Sequence, residues 1–207
     1  MDKKWRNLLL VLALLAVALL AAYFLFFQND TFGQGVLQIG SFWQAESINP
    51  ANLTPDKIQL INEDAISRVQ VKLASFRQAV PDTDAGRALS RLADVHMAVA
   101  DVILANKALS EKVSQADSIP AEQLCGNIAV FEQVNSLTRS LAEKTKAKNE
   151  SARQFISDYA NAGLISASYA QESGVAALVS DETGLDAAVQ SSDEGLQELK
   201  DSCGGVQ

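Results

Sequence analysis

The pattern of apolar and polar positions begins with a continuous apolar segment. Residues 8–27 are 20 consecutive apolar residues without a charge. As a helix rising about 1.5 Å per residue, they would span about 30 Å, the thickness of the hydrocarbon core of a bilayer. Three basic side chains lie within residues 1–7, and the next basic residue after the segment is Lys57. The positive-inside rule therefore predicts a single-pass helix in the cell membrane, with residues 1–7 cytoplasmic and the C-terminal domain extracytoplasmic.

Cleavage of this segment as a signal peptide is the competing interpretation. The apolar region of a signal peptide is about 7–15 residues long and ends at small residues. Here Ala21 and Ala22 are followed by bulky side chains from Tyr23 to Phe27, which are poor cleavage-site residues. A pilin-like leader would need a small residue before the cut and an acidic residue soon after it, and neither is visible. We therefore interpret 8–27 as an uncleaved signal-anchor.

Residues 28–54 show no sustained helical period and are interrupted by glycine, asparagine and proline, which predicts a linker. Within this linker, the apolar stretch Val36–Trp43 needs a surface to cover it. Two surfaces stay open at this point: the helical bundle that follows, and the lipid interface.

Two amphipathic helices follow the linker. Apolar residues recur three and four positions apart, which places them on one face of a helix. Thr54 and Pro55 suit a helix start and Pro81 ends the first helix, so we predict helices over 55–80 and 84–116. The first stripe is Ile58, Ile61, Ala65, Val69, Leu73, Phe76 and Val80, and the second is Leu89, Leu92, Val95, Val99, Val102, Asn106, Leu109 and Val113.

The remaining sequence predicts a second pair of helices. One covers 120 to about 160, and the other follows the turn signal at 161–163. A turn near Asn149, between two shorter helices, is the alternative. The last helix carries a coiled-coil-like seam and is expected to be kinked or broken near Ser180–Gly184, because its glycines weaken a helix. The seam residues are Leu164, Ser168, Gln171, Val175, Leu178, Glu182, Leu185, Val189, Ser192, Leu196, Leu199 and Cys203.

These elements together predict an all-α fold. A single N-terminal transmembrane helix precedes an extracytoplasmic antiparallel helical bundle of two long, coiled-coil-like αα-hairpins, because short connections make neighbouring helices antiparallel. The expected divisions are the cytoplasmic N-terminus at 1–7, the anchor at 8–27, the linker at 28–54, the bundle at 55–203 and a tail at 204–207.

The chain has two cysteines, Cys125 and Cys203. An even number of cysteines outside the cytoplasm indicates a disulfide. With a turn centred on Ala162, Cys125 lies 37 residues before the centre and Cys203 lies 41 after it, so an antiparallel hairpin brings them level. We therefore predict an intramolecular disulfide across the open end of the second hairpin. An intermolecular bond and free thiols are the alternatives.

The charge pattern separates classes of partner. The net charge of −8 disfavours nucleic acid, which binds basic surfaces. A basic run, Arg139–Arg153, and an acidic cluster over 181–201 are interpreted as solvated helix faces that could lie near each other. Contact of the basic run with anionic lipid or another polyanion is the alternative.

The sequence offers little catalytic chemistry. His96 is the single histidine, expected at the surface or the edge of the core, and the usual metal, haem and phosphate-binding motifs are absent. We therefore predict no catalytic residue, no metal site and no cofactor. Sequons at Asn52 and Asn149 are candidate N-glycosylation sites, and Asn149 is expected to be the more accessible.

These features favour a non-enzymatic, membrane-anchored extracytoplasmic interaction or scaffold module. Residues 8–27 would contact the lipid bilayer, and the bundle would bind a protein partner or assemble with copies of itself at the outer face of the membrane. The alternative is an extracytoplasmic small-ligand sensor or solute-binding bundle. A single membrane helix disfavours the sensor, because sensor bundles usually lie between two membrane helices.

The cysteine assignment makes a direct prediction. On non-reducing electrophoresis, the native protein should migrate as a compact monomer that shifts on reduction, because the predicted disulfide closes a long loop within one chain. A disulfide-linked dimer would refute an intramolecular bond.

Overall fold

The computed structural model describes residues 32–160 and 174–204, and every regular element within these ranges is helical. The predicted all-α class is therefore confirmed for the described chain. The helices are α1 (32–44), α2 (Pro55–Leu60), α3 (Glu63–Ala79), α4 (Asp84–Asp117), α5 (Ile128–Ala160), α6 (Val175–Leu178) and α7 (Leu185–Gly204), with a 3₁₀ helix (Ala121–Asn127) before α5.

The helices form a bundle around the two longest members, α4 and α5, which run in opposite directions. Helices α4 and α5 share the most extensive interface, α3 packs on α4, and α7 packs on α5. Arg77 of α3 pairs with Asp94 of α4 at 2.9 Å. Gln70, which lies nearer the start of α3, donates to Asp101, which lies nearer the end of α4, at 2.8 Å. The two helices of this pair therefore run in opposite directions, as the short connection between them predicted.

Burial divides the bundle into two parts. The hydrophobic core lies in the head, which we define as residues 32–103, 148–160 and 174–180. The arm comprises residues 104–147 and 181–204, and its buried apolar residues are the small Ala105, Ala116 and Ala142. The head is thus packed around large side chains, whereas the arm is a thinner helical assembly. The largest fully buried apolar side chains of the head are Trp43, Ile39, Ile66, Leu73, Leu92, Ile103, Val69, Val95 and Val175.

The segment expected to be a linker contains α1, which is a correction to the sequence-based prediction. Phe32, Val36, Ile39 and Trp43 recur at gaps of 4, 3 and 4 and pack into or against the core. Glycines near this stripe were interpreted as breaks, but Gly35 serves close packing, since a Cβ there would lie 2.5 Å from both methyl groups of Leu89. Of the two surfaces left open for Val36–Trp43, the bundle is the one that covers it.

The predicted helix over 55–80 is interrupted once. Helix α2 ends at Leu60 and α3 begins at Glu63, with Asn62 between them. The Asn62 side chain accepts a hydrogen bond from the Asp64 backbone N–H at 2.9 Å, so it caps a new helix. Asparagine competes for backbone groups in this way, which explains the break within an otherwise continuous apolar stripe.

The remaining helical predictions are largely confirmed. Helix α4 ends one residue beyond the predicted 116, and Thr83 caps its start by accepting from the Gly86 N–H at 3.0 Å. Helix α5 continues through Asn149 to Ala160, so the alternative turn near 149 is wrong. The expected break near Ser180–Gly184 is also found, because residues 179–184 separate α6 from α7.

The seam predicted for the last helix is confirmed where the structure describes it. The α7 residues of the seam are partly buried, while most other positions of this helix are exposed. The partly buried members are Leu185, Val189, Ser192, Leu196, Leu199 and Cys203. The predicted turn at 161–163 and the first three seam residues lie outside the described residues.

No helix within 32–160 or 174–204 has both the length and the apolar character needed to cross a bilayer. The predicted cytoplasmic N-terminus at 1–7 and the predicted membrane helix at 8–27 lie outside the described residues, as does most of the predicted tail.

Two helical glycines provide a matched test of the fold. A Cβ at Gly86 would lie 1.8 Å from the Pro81 carbonyl oxygen, whereas a Cβ at Gly195 would meet nothing within 4 Å. We expect Gly86→Ala to lower the free energy of unfolding by more than about 2 kcal/mol, because backbone must move. We expect Gly195→Ala to raise it by about 0.5–1 kcal/mol, because alanine favours an open helical site. Chemical denaturation of the full chain in detergent measures both, and equal values would contradict the tight turn before α4.

Candidate functional site

An open groove with a volume of about 530 Å³ lies between α1 and α3. Its floor is apolar and its edges carry a few polar side chains, an arrangement that suits binding of an apolar group. The residues that line this α1–α3 groove are Gln34, Gly35, Gln38, Phe42, Val71, Lys72, Ser75, Phe76, Ala79, Val80, Pro81 and Leu89.

Aromatic packing and an exposed valine shape the floor of the α1–α3 groove. Phe42 of α1 and Phe76 of α3 meet edge to face, with ring centroids 6.1 Å apart. Val71 lies off the buried stripe of α3 and is 66% exposed. The floor of the α1–α3 groove therefore combines two packed aromatic rings with exposed apolar surface, and a bound group would shield that surface from water.

An ion pair fixes the turn after α1 against α3. The Arg68 guanidinium donates to both carboxylate oxygens of Glu46, at 3.0 and 2.6 Å, and Lys72 lies 3.6 Å from the same carboxylate. The hydrogen bond from Arg68 is the main cause that holds the pKa of Glu46 below its ordinary value. A bidentate pair has a defined geometry, so it sets the position of α1 as well as its charge balance.

A buried hydrogen bond joins α1 to α4. The Trp43 indole Nε1–H donates to Nδ1 of His96 at 3.1 Å, and both residues are buried. The indole N–H can only donate, so Nδ1 must be unprotonated and the neutral imidazole carries its proton on Nε2. This bond satisfies two polar groups that would be costly to bury alone.

His96 lies deeper than the sequence predicted. It is 7% exposed, and burial lowers its pKa to about 4 from an ordinary value of 6.5. Burial disfavours the charged imidazolium, so the ring is neutral at physiological pH. The expectation of a surface or core-edge histidine is therefore wrong. Its neighbours Val95 and Val99 belong to the predicted stripe, and His96 lies beside that stripe on the side that α1 covers.

A second opening of about 450 Å³ borders this pair, between α1, the loop after it and α6. Trp43, His96, Ile48 and Leu178 contribute to its lining. In the described part of the chain the His96 ring makes one hydrogen bond, the one from Trp43. The lining of this cleft is mixed, because Gln44 and Asn49 border it together with the apolar residues and the neutral imidazole.

A partly buried polar cluster holds the break before α7 against α5. We call Lys148, Asn149, Ser180 and Glu182 the polar clasp. The Asn149 amide donates to the Ser180 carbonyl oxygen at 2.8 Å and to Glu182 Oε1 at 2.6 Å. Its oxygen accepts from the Ser180 N–H at 3.0 Å and from the Ser180 hydroxyl at 3.3 Å. All four hydrogen-bonding positions of the amide are therefore used, which explains how Asn149 can be 0% exposed.

Lys148 completes the polar clasp. Its ammonium donates to the Leu178 carbonyl oxygen at 2.6 Å and to the Ser180 hydroxyl at 2.7 Å. Burial lowers the pKa of Lys148, and the carboxylate of Glu182 opposes that change. Glu182 itself accepts from Asn149 and pairs with Arg153 at 2.9 Å, and both contacts lower its pKa. The charges of the clasp are thus balanced within it.

The two candidate glycosylation sites differ in environment. Asn149 is enclosed within the polar clasp in the middle of α5, so the expectation that it is the more accessible acceptor is wrong. Asn52 is exposed in the connection between α1 and α2, and glycosylation there remains a prediction.

The acidic and basic runs meet along the seam between α5 and α7. Asp193 pairs with Arg139 at 2.6 Å, and Asp186 pairs with Lys146 at 2.6 Å. Hydrogen bonds from Asn135 and then from Arg139 lower the pKa of Asp193. These pairs are solvent-exposed, so each contributes little to stability, but together they fix which α5 positions face α7.

The two cysteines lie together at the far end of the same seam. Cys125 of the 3₁₀ helix and Cys203 of α7 are at disulfide distance, with sulfur atoms 2.03 Å and Cα atoms 5.3 Å apart. The predicted pairing within one chain is therefore found. Such a link joins positions 78 residues apart, and loop-entropy estimates for a loop of this length give about 4–5 kcal/mol of stabilisation.

Residues 32–160 and 174–204 contain no group of three or more His, Cys, Asp or Glu side chains placed to hold a metal ion. Comparison of the chain with protein-family models, with curated proteins and with solved structures gave no match. Functional inference therefore depends on the geometry of the bundle.

Sequence reasoning missed the α1–α3 groove because it missed α1. A usable signal existed: the gaps of 4, 3 and 4 between Phe32, Val36, Ile39 and Trp43 have a helical period. The polar clasp had no comparable local signal, because Asn149 and Ser180 are 31 residues apart.

The buried histidine predicts a specific pH dependence. An unfolded histidine takes up a proton near pH 6.5, whereas the pKa of folded His96 is about 4. Stability is therefore complete above pH 6.5 and is lost as the pH falls towards 4, with about 2 kcal/mol lost between pH 7 and 5. In His96→Asn the side-chain oxygen can still accept from Trp43 but does not titrate. Urea unfolding of both proteins at pH 7 and 5 should show the smaller loss in the variant, and equal losses would contradict a neutral buried His96.

Proposed function

We propose that this protein is a membrane-anchored, extracytoplasmic and non-enzymatic interaction module that binds an apolar helix of a protein partner in the α1–α3 groove. The groove itself is the observation that carries the proposal, because it combines a preformed apolar floor with a polar edge. Helix-in-groove binding uses this kind of surface.

The contacts around the groove favour binding without large rearrangement. Trp43 fixes one wall through His96, and Glu46 fixes the same wall through Arg68. A groove whose walls are held before binding loses less conformational entropy when it is filled. Phe42, Phe76 and Val71 would form the dry centre of the interface, and Gln34, Gln38 and Lys72 would lie at its rim.

The proposed membrane anchor favours a partner that is held in the same membrane. Helix α1 is the first described element after the predicted span at 8–27, and one wall of the groove belongs to α1. A partner held in the same membrane would meet the groove at a high effective concentration, so a modest intrinsic affinity would be enough. This argument favours a membrane-attached protein over a freely diffusing one.

Site-specific crosslinking in native cells tests the proposal. A photoreactive amino acid at Gln38, on the edge of the groove, should capture one discrete protein, because Gln38 would border the bound helix. Val71→Asp should remove most of that adduct by placing a charge on the apolar floor. Val113→Asp is the matched control, because Val113 is also a helical valine with 36% exposure but does not line the groove.

Three results would count against the proposal. These are recovery of uncrosslinked chain alone, an adduct unaffected by Val71→Asp, and an adduct with twice the mass of the chain. The last result would replace partner binding with self-assembly.

A further inference from the structure

Three helix ends lie together in the head: the start of α1, the start of α4 and the end of α5. Gly35, near the start of α1, lies against Leu89 in the second turn of α4, and Trp43 lies against His96 farther along. The two helices therefore run in the same direction. The end of α5 reaches the same region, because Tyr159 and Arg91 line one small cavity. We call this the proximal end of the head.

The opposite end of the molecule is formed by other elements. Helix α4 ends at Asp117, the 3₁₀ helix follows, and Cys203 near the end of α7 meets Cys125 there. We call this the distal end of the arm. Helix α4 has 34 residues and connects the two ends, so they are about 50 Å apart.

The covalent chain limits which end can lie near a membrane. If residues 8–27 occupy the bilayer, residues 28–31 must connect the membrane to Phe32. A fully extended chain covers at most about 17 Å over this distance. The start of α1, and with it the proximal end, then lies within about 17 Å of the end of the membrane helix, whereas the distal end is not restricted in this way.

The distribution of charge favours the same orientation. Residues 111–139 and 193–204 of the distal end contain eight acidic and three basic side chains, a net charge of −5. Residues 80–91 and 153–160 of the proximal end contain three acidic and three basic side chains, a net charge of zero. Carboxylates lose hydration near a bilayer and are repelled by lipid phosphates, so a neutral end approaches the membrane at lower cost.

We propose that the proximal end faces the lipid surface and that the distal end, with its disulfide, projects about 50 Å farther from the membrane. The α1–α3 groove then opens near the bilayer, because Gln34 and Pro81 of its lining belong to the proximal end. This inference rests on the membrane anchor in the proposed function. It adds an orientation and a lipid-facing surface, which the anchor alone does not define.

Energy transfer to labelled lipid tests the orientation. The full chain is placed in nanodiscs of a zwitterionic phospholipid that contain an acceptor dye on a lipid headgroup. A donor dye is attached under non-reducing conditions to a cysteine introduced as Asp82→Cys or as Asp117→Cys. Each substitution removes one exposed carboxylate, one at the proximal end and one at the distal end. We expect transfer from position 117 to be at most about one third of the transfer from position 82, because α4 separates the positions by about 50 Å.

The outcomes separate the orientation from the anchor. A chain that does not co-purify with the nanodiscs would overturn the anchor and the proposed function with it. A chain that co-purifies but shows equal transfer at the two positions, or stronger transfer at position 117, would overturn the orientation and leave the anchor intact. Thermal unfolding of the two labelled variants checks that both retain the native fold.

Discussion

The hydrogen bond from Trp43 to His96 is the constraint on which the arrangement of the head depends. Both groups are buried, and each is the described hydrogen-bond partner of the other, so α1 cannot slide along α4 without leaving an indole N–H and an imidazole nitrogen unpaired. This contact and the close approach of Gly35 to Leu89 set the position of α1 along α4, and the Glu46–Arg68 pair holds the same segment against α3 beside the α1–α3 groove. A hydrophobic stripe alone would allow α1 to shift by one turn with similar burial, whereas a single directed bond does not.

The arm is held together by a different set of forces. It buries alanines in place of large apolar residues, and α7 contacts α5 through half-buried positions of one seam. Such a seam removes little apolar area from water, so the link at Cys125–Cys203 and the polar clasp around Asn149 fasten α7 near its two ends. The ion pair between Arg139 and Asp193 lies between these attachments and defines the register. The arm is therefore specified by a few covalent and polar contacts, whereas the head combines dense apolar packing with the directed bond between Trp43 and His96.

Periodicity predicted the features that depend on the local sequence. The bounds of α4, the seam of α7 and the break near Ser180 follow from the spacing of apolar residues and from glycines, and these were found as expected. Features that depend on distant residues were missed or misjudged. Gly35 disrupts a helix in isolation but permits the approach of Leu89, and Asn149 looks like an exposed sequon until Ser180 satisfies its amide. His96 appears polar in sequence, and only the position of Trp43, 53 residues away, makes its burial favourable.

Helices α4 and α5 run through both the head and the arm, and α6, a helix of four residues, lies where the chain passes from the head into α7 of the arm. Val175 and Leu178 are buried in the core of the head, and Leu178 also borders the cleft beside Trp43 and His96. The carbonyl oxygen of Leu178 accepts from Lys148, so the polar clasp holds α6 directly. A short helix has little stability of its own, because helix nucleation is unfavourable and few bonds follow it. The placement of α6 must therefore come from these contacts at its two sides. The clasp therefore supplies the polar contacts of this segment, and Val175 and Leu178 supply its apolar contacts with the core beside the Trp43–His96 pair.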